Sequence, residues 1–128
     1  MNVLFLCPHG AAKSVLAMIY FEWLAAKENL TVNVKNAGTE PDSAINPKVD
    51  AQLKTEGIEL SGFVPPLLRD EDLEEADLVV SIGCISAESI PADTRYLDWS
   101  DVPMLSDDFD VCRSVIFEKV EQLVADLT

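Results

Sequence analysis

Two short apolar runs constrain this chain more than any other feature. Residues 2–6, NVLFL, and residues 77–83, DLVVSIG, carry almost no polar side chains. Both are too short for a typical helix, and neither shows the alternation of a half-exposed strand. Each therefore reads as a strand covered on both faces. A sheet of such strands needs a layer on each side. The sequence between them supplies helices. From Lys13 to about Glu28 there is no Gly or Pro, and Leu16, Ile19, Tyr20, Trp23 and Leu24 recur at helical spacing. That helix is apolar over more than one stripe, as in a helix wedged between layers or one whose extra face meets a second subunit.

The remaining elements follow in order. Residues 31–36, TVNVKN, alternate and predict a second strand. AGTEPDSAINP is loop by composition. Asn46 and Pro47 predict the cap and first residue of a helix reaching about Glu56, which Gly57 ends. Pro65 and Pro66 keep the next stretch extended. RDEDLEEA predicts a short acidic helix before the DLVVSIG strand, TRYLDW a fourth strand, and SDVPMLSDD a loop. From Asp107 onward, Val111, Cys112, Val115, Ile116, Val120, Leu123 and Leu127 mark a closing amphipathic helix, with Cys112 in its core face. The order β-α-β-α-α-β-β-α predicts an α/β fold: one domain over residues 1–128, with a four-stranded parallel sheet and helices on both faces. There is no internal repeat, linker or low-complexity stretch.

Composition narrows the function. No run of about 18 apolar residues exists to span a membrane, and the start lacks the basic region and apolar length of a signal peptide. The expected setting is the cytoplasm. The cysteines, Cys7, Cys84 and Cys112, are too few and scattered for a disulfide scaffold, and His9 is the single histidine. A zinc site therefore lacks ligands. A net charge of −14 argues against nucleic acid or an anionic membrane as partner. It also repels anionic substrates, so any anion site must be local and strong.

Parallel sheets form sites outside the carboxyl ends of their strands. Cys7, the loop at 37–46, the end of DLVVSIG and the loop at 99–106 all gather there. Residues 7–14, CPHGAAKS, join a strand to a helix through a tight loop. Amides in such a loop form an anion-binding nest, and the helix N-terminus adds partial positive charge. Gly10 permits a positive φ. Pro8, His9, Gly10, Ala11, Ala12, Lys13 and Ser14 would then surround a tetrahedral oxyanion, phosphate or arsenate. The same field, with the Lys13 cation and a Ser14 hydroxyl hydrogen bond, favours the ionised, nucleophilic sulfur of Cys7. On these residues alone, Cys7 as a small buried apolar residue with PHG as a plain turn is an equal alternative.

With these residues in view, the sequence resembles the low-molecular-weight protein tyrosine phosphatase superfamily along nearly its whole length, and most closely its arsenate reductase branch. The family pattern Cys-x5-Arg-Ser corresponds to Cys7, Lys13 and Ser14. AGTEP at 37–41, NP at 46–47, GIELSG at 57–62, DLVVSIGC at 77–84 and YLDW at 96–99 resemble reductase segments. The resemblance implies that Cys7 attacks the oxyanion and that the loop amides and Lys13 hold its oxygens. Asp101, in SDVP, would protonate the departing oxygen, with Asp98 as second choice. Water would resolve a phosphocysteine; a second thiol would resolve an arsenate adduct. That thiol is Cys84 or an external donor, thioredoxin or a low-molecular-weight thiol. No tightly bound cofactor or metal is implied.

The departures matter as much. Lys13 replaces an arginine fork with a point charge, which predicts weaker oxyanion binding and slower turnover. Where the family braces its loop with an asparagine, this chain has Gly10, which can take the backbone shape but cannot brace it. VPMLSDDF lacks the tyrosine pair of phosphotyrosine enzymes, which favours a small anion. Ser89 stands where a second relay cysteine is expected. Three readings follow: an arsenate reductase-like enzyme, a phosphatase of phosphomonoesters, or a non-catalytic oxyanion-binding homologue.

Overall fold

β1 (Asn2–Cys7) and β3 (Leu78–Ser81), the two apolar runs, form the centre of a parallel sheet in the order β2-β1-β3-β4. β2 (Asn33–Gly38) and β4 (Arg95–Asp98) take the edges, where polar side chains reach solvent. All three pairings are parallel. The computed structural model describes residues 1–60, 62–105 and 107–128. Ser61, in the GIELSG stretch, and Ser106, in the loop before the last helix, lie outside the described residues.

Side chains of β1 alternate between two cores. Val3, Phe5 and Cys7 face α1 (Lys13–Lys27), α2 (Pro47–Thr55) and α4 (Phe109–Leu127), while Leu4 and Leu6 face the layer that holds α3 (Asp70–Glu75) and Ile90. The larger core centres on Phe5, whose ring lies 5.6 Å from Phe21 and 5.8 Å from Trp99. α1 is the wedged helix the sequence allowed: Val15, Leu16, Tyr20 and Phe21 are buried between the sheet and α4. Cys112 is fully buried in the α4 core face, as expected.

Local signals account for most boundaries. Asn46 Oδ1 accepts from the Lys48 and Val49 amides at 2.9 and 3.4 Å, with Pro47 opening α2. Asp108 caps α4 by accepting from Val111 N at 3.2 Å. Two expectations shift. β2 covers Asn33–Gly38 rather than 31–36, because its register on β1 pairs Ala37 with Leu6 and Gly38 with Cys7. Glycine and alanine are weak strand signals, so composition assigned them to the loop. Trp23 is 52% exposed instead of lying in the core stripe, with the Lys27 ammonium 4.6 Å over its ring; Phe21 fills the core instead. Among the described residues no helix is long and apolar enough to cross a membrane, and no three His, Cys, Asp or Glu form a metal cluster.

α1 is tied to the end of α2 by the Tyr20 hydroxyl, which donates to Glu56 Oε1 at 2.8 Å. Burial first, and then the Glu56 acceptor, push the Tyr20 pKa up from 10.0 to about 12, against a downward pull from Arg113. The folded state thus favours the neutral phenol. This stability is present below pH 10 and is lost as pH rises through the folded value near 12. Melting temperatures of wild type and Tyr20→Phe should therefore converge between pH 10 and about 12. A gap that stays constant over that interval would show that the phenol does not titrate with unfolding.

Candidate active site

β1 delivers Cys7 to the carboxyl edge of the sheet, and α1 begins six residues later. Between them the chain turns through Gly10 at φ +61°. A Cβ there would sit 3.0 Å from Gly38 N, and one on Gly38 would sit 2.8 Å from Gly10 N. The two backbones touch, so both positions require glycine.

The direction of the loop carbonyls sets its chemistry. Pro8 O accepts from Glu40 N at 2.8 Å, His9 O from Asp42 N at 3.0 Å and Ala11 O from Asn46 N at 2.9 Å. Gly10 O accepts from Asn36 Nδ2 at 2.9 Å, and Ala12 O from Leu16 N at 3.0 Å. Every carbonyl from residue 8 to 12 is thus engaged outside the loop. No peptide here is cis, so each following amide points the opposite way. Among the described residues no acceptor meets the amides of residues 9–14. α1 has no side-chain cap and no acid in its first turn. The result is a run of amides without acceptors between Cys7 and a helix N-terminus, the composition of an anion-binding nest.

Cys7 is 4% exposed, and its sulfur lies 3.1 Å from Ser14 Oγ. Ser14 Oγ accepts from the Cys7 thiol and, at 3.1 Å, from Asn36 Nδ2; were the sulfur ionised, the hydroxyl hydrogen could turn to donate to it. Asn36 therefore supplies from β2 the loop brace that Gly10 cannot, and sequence reasoning missed it. The signal was available. Asn36 falls in phase with Val32 and Val34, pairs with Phe5 and is buried; a polar residue at an apolar position usually has a bonding task.

The other expected residues are placed differently. Lys13 Nζ lies 3.9 Å from Met104 Sδ, across the mouth of the loop, and no carboxylate among the described residues pairs with it. Its charge pulls down the Cys112 thiol, which burial pushes up. His9 sits on the rim, with Nδ1 3.1 Å from Glu40 O and 3.4 Å from Asp42 Oδ1. Asp101 is 72% exposed and pairs with Lys119 Nζ at 3.2 Å. Lys119 belongs to α4, so this contact holds the Asp101 carboxylate against the flank of that helix. Asp98 accepts from Ser100 N at 2.8 Å, and hydrogen bonds from Ser100 hold its carboxyl below the usual range. No hydrogen bond or ion pair among the described residues joins either carboxylate to the loop.

Cys84 follows a turn at Gly83 and packs with the Leu6 and Val79 face, whereas Cys7 lies on the other face. Its sulfur is 3.5 Å from Ser81 Oγ, which also accepts from the amides of Cys84 and Ile85. Burial pushes the Cys84 thiol up; the Ser81 hydrogen bond opposes this, and Cys7 adds a smaller upward push. The thiol borders an open hollow of about 480 Å³ shared with Tyr96 and Asp98.

Comparisons with known proteins find relatives along the whole chain. The family described as low molecular weight phosphotyrosine protein phosphatase matches residues 2–128. A Halobacterium salinarum protein named "Putative arsenate reductase" is 26% identical over 125 residues, covering 96% of this chain and 87% of its own length. A Bacillus subtilis protein-arginine-phosphatase is 32% identical over 84 residues, covering 64% of this chain and 55% of its own. The thioredoxin-dependent arsenate reductase of Corynebacterium glutamicum superposes with a TM-score of 0.81 at 28% identity, over 98% of this chain and 60% of that one.

Removing the Asn36 amide leaves Gly10 O buried without a donor and frees the Ser14 hydroxyl, at a cost of about 1–3 kcal/mol. Asn36→Ala should weaken phosphate protection of Cys7 against iodoacetamide by about tenfold or more. Equal protection constants for variant and wild type would remove Asn36 from the site.

Proposed function

The chain belongs to the low molecular weight phosphotyrosine protein phosphatase family, and on that basis we propose that it is a cysteine-dependent oxyanion enzyme of the arsenate reductase type. One observation carries the reading: the buried Cys7 sulfur, 3.1 Å from a serine hydroxyl that Asn36 orients, at the start of a run of amides without acceptors. In that role Cys7 attacks the arsenic of arsenate, an S–As bond forms, and one oxygen leaves as water once protonated. The amides of residues 9–14 and the Lys13 ammonium hold the remaining oxygens as charge builds. A second thiol then attacks the Cys7 sulfur. An S–S bond forms, the S–As bond breaks with its electrons going to arsenic, and As(V) leaves as As(III).

Asp101 is our candidate for the proton donor. Its loop must let go of Lys119 to reach the mouth, and Asp98 is the second choice. The resolving thiol is Cys84 if residues 83–86 turn across the sheet edge, and otherwise thioredoxin or a low-molecular-weight thiol. The open hollow beside Cys84 and the thioredoxin-dependent relative support a thiol partner. Three free cysteines suit the reducing cytoplasm. Hydrolysis of a phosphomonoester is the second reading. It is favoured by the placement of Cys7 and Cys84 on opposite faces, since water needs no second sulfur, and by the arginine-phosphatase relative. The Lys13 point charge supports the third, an oxyanion binder without turnover.

Arsenate-dependent thiol oxidation and p-nitrophenyl phosphate hydrolysis, measured on one set of variants, separate these readings. Cys7→Ser should abolish both activities, and either activity surviving in it would overturn the mechanism. Lys13→Arg should raise kcat/KM about tenfold through bidentate contact. Wild type silent in both assays beside an active Lys13→Arg would establish the binder. Loss of arsenate reduction alone in Cys84→Ser would assign the resolving step to that residue.

A further inference from the structure

A second hollow, beside α1, contains an arginine whose Nε has nothing to bond. It lies between α1, the end of α2 and α4, encloses about 420 Å³, and is lined by Tyr20, Trp23, Glu56, Ile58, Arg113 and Phe117. That volume suits a small organic ligand. Its walls are aromatic: Phe117 meets Tyr20 edge-on at 5.3 Å and Trp23 at a tilt at 6.4 Å. Trp23 leaves half of its surface open to solvent.

The polar groups do not balance. Arg113 Nε is the one buried side-chain nitrogen or oxygen among the described residues without a hydrogen-bond partner. Such a donor costs about 1–3 kcal/mol, and one that persists needs a reason. Glu56, whose oxygens lie 2.8 and 3.2 Å from the Tyr20 hydroxyl, makes no hydrogen bond to Arg113 Nε. No ion pair among the described residues involves Arg113 or Lys27, whose ammonium stands over Trp23. In a chain of net charge −14, Arg113 and Lys27 set positive charge beside an aromatic hollow that also holds the Glu56 carboxylate.

We propose that this hollow binds a small aromatic carboxylate, whose carboxylate takes the Arg113 fork and whose ring lies against Trp23 and Phe117. Nε is covered as the side chain lies, so binding requires the Arg113 side chain to turn into the hollow, where Nε and one Nη meet two carboxylate oxygens and the orphaned donor is paired. The flat faces of Trp23 and Phe117 supply ring contact, and Lys27 adds attraction at the mouth. The site is independent of the Cys7 reading, because it uses none of the loop's groups.

Benzoate is the probe, with benzyl alcohol (ring without charge), acetate (charge without ring) and inorganic phosphate as comparators. Each is titrated into the full chain while amide and indole chemical shifts are followed. Saturable benzoate shifts are expected at the Trp23 indole and at amides near Arg113 and Phe117, with benzyl alcohol and acetate at least about tenfold weaker. Arg113→Lys keeps the charge but loses the fork, and should weaken benzoate about tenfold. Trp23→Ala alters a half-exposed residue, so it should keep its melting temperature and lose most of the affinity. The proposal fails if benzoate gives no saturable shift. It also fails if the shifts fall on residues 8–14, as they would for an anion entering the Cys7 loop. Undiminished affinity in folded Arg113→Lys and Trp23→Ala would sink it as well.

Discussion

The carbonyls of residues 8 to 12 all bond to donors beyond the turn itself, and the character of the loop depends on those bonds. Five acceptors are satisfied by donors that the fold brings from elsewhere: the backbone of residues 40–46, the Asn36 side chain and the first turn of α1. Once those bonds are made, the amides have no choice of direction. The cradle is therefore paid for during folding, and no reorganisation is required when an anion arrives. The close contact of Gly10 with Gly38 serves the same end, since it lets the loop lie against β2 without a side chain between.

Much of this was legible in the sequence. The apolar runs at 2–6 and 77–83 became the central strands because only the sheet centre buries both faces. Asn46–Pro47 marked α2 because a cap and a fixed φ are local properties. The loop CPHGAAKS was legible for the same reason: strand end, glycine and helix start act over a few residues. What escaped depends on register or on distant partners. Ala37 and Gly38 joined β2 through pairing with β1, although neither has a strand preference. Asn36 became a brace because the register set it beside Gly10 and Ser14. Asp101 met Lys119, eighteen residues away in sequence, and nothing near either residue announces that contact.

Charge sets the other limit on the site. Lys13 lies against a thioether, with no carboxylate paired to it among the described residues, within a strongly acidic molecule. A lone ammonium gives attraction without the planar match of a guanidinium, so recognition rests more heavily on the loop amides than in a loop carrying arginine. The geometry of that run is backbone geometry. In the proposed role it would discriminate by the shape and size of the anion, in keeping with the absence of tyrosine from VPMLSDDF.

The Asp101–Lys119 contact has a further meaning for motion. An exposed pair of this kind is worth about 0–1 kcal/mol, close to thermal energy. The Asp101 carboxylate is thus parked on the flank of α4 rather than locked there, and its side chain can release while Trp99 and Val102 stay in the core. Dissolved ions loosen such a tether further, so the position of this carboxylate answers to the salinity of its surroundings while the amide cradle, built of short internal bonds, does not.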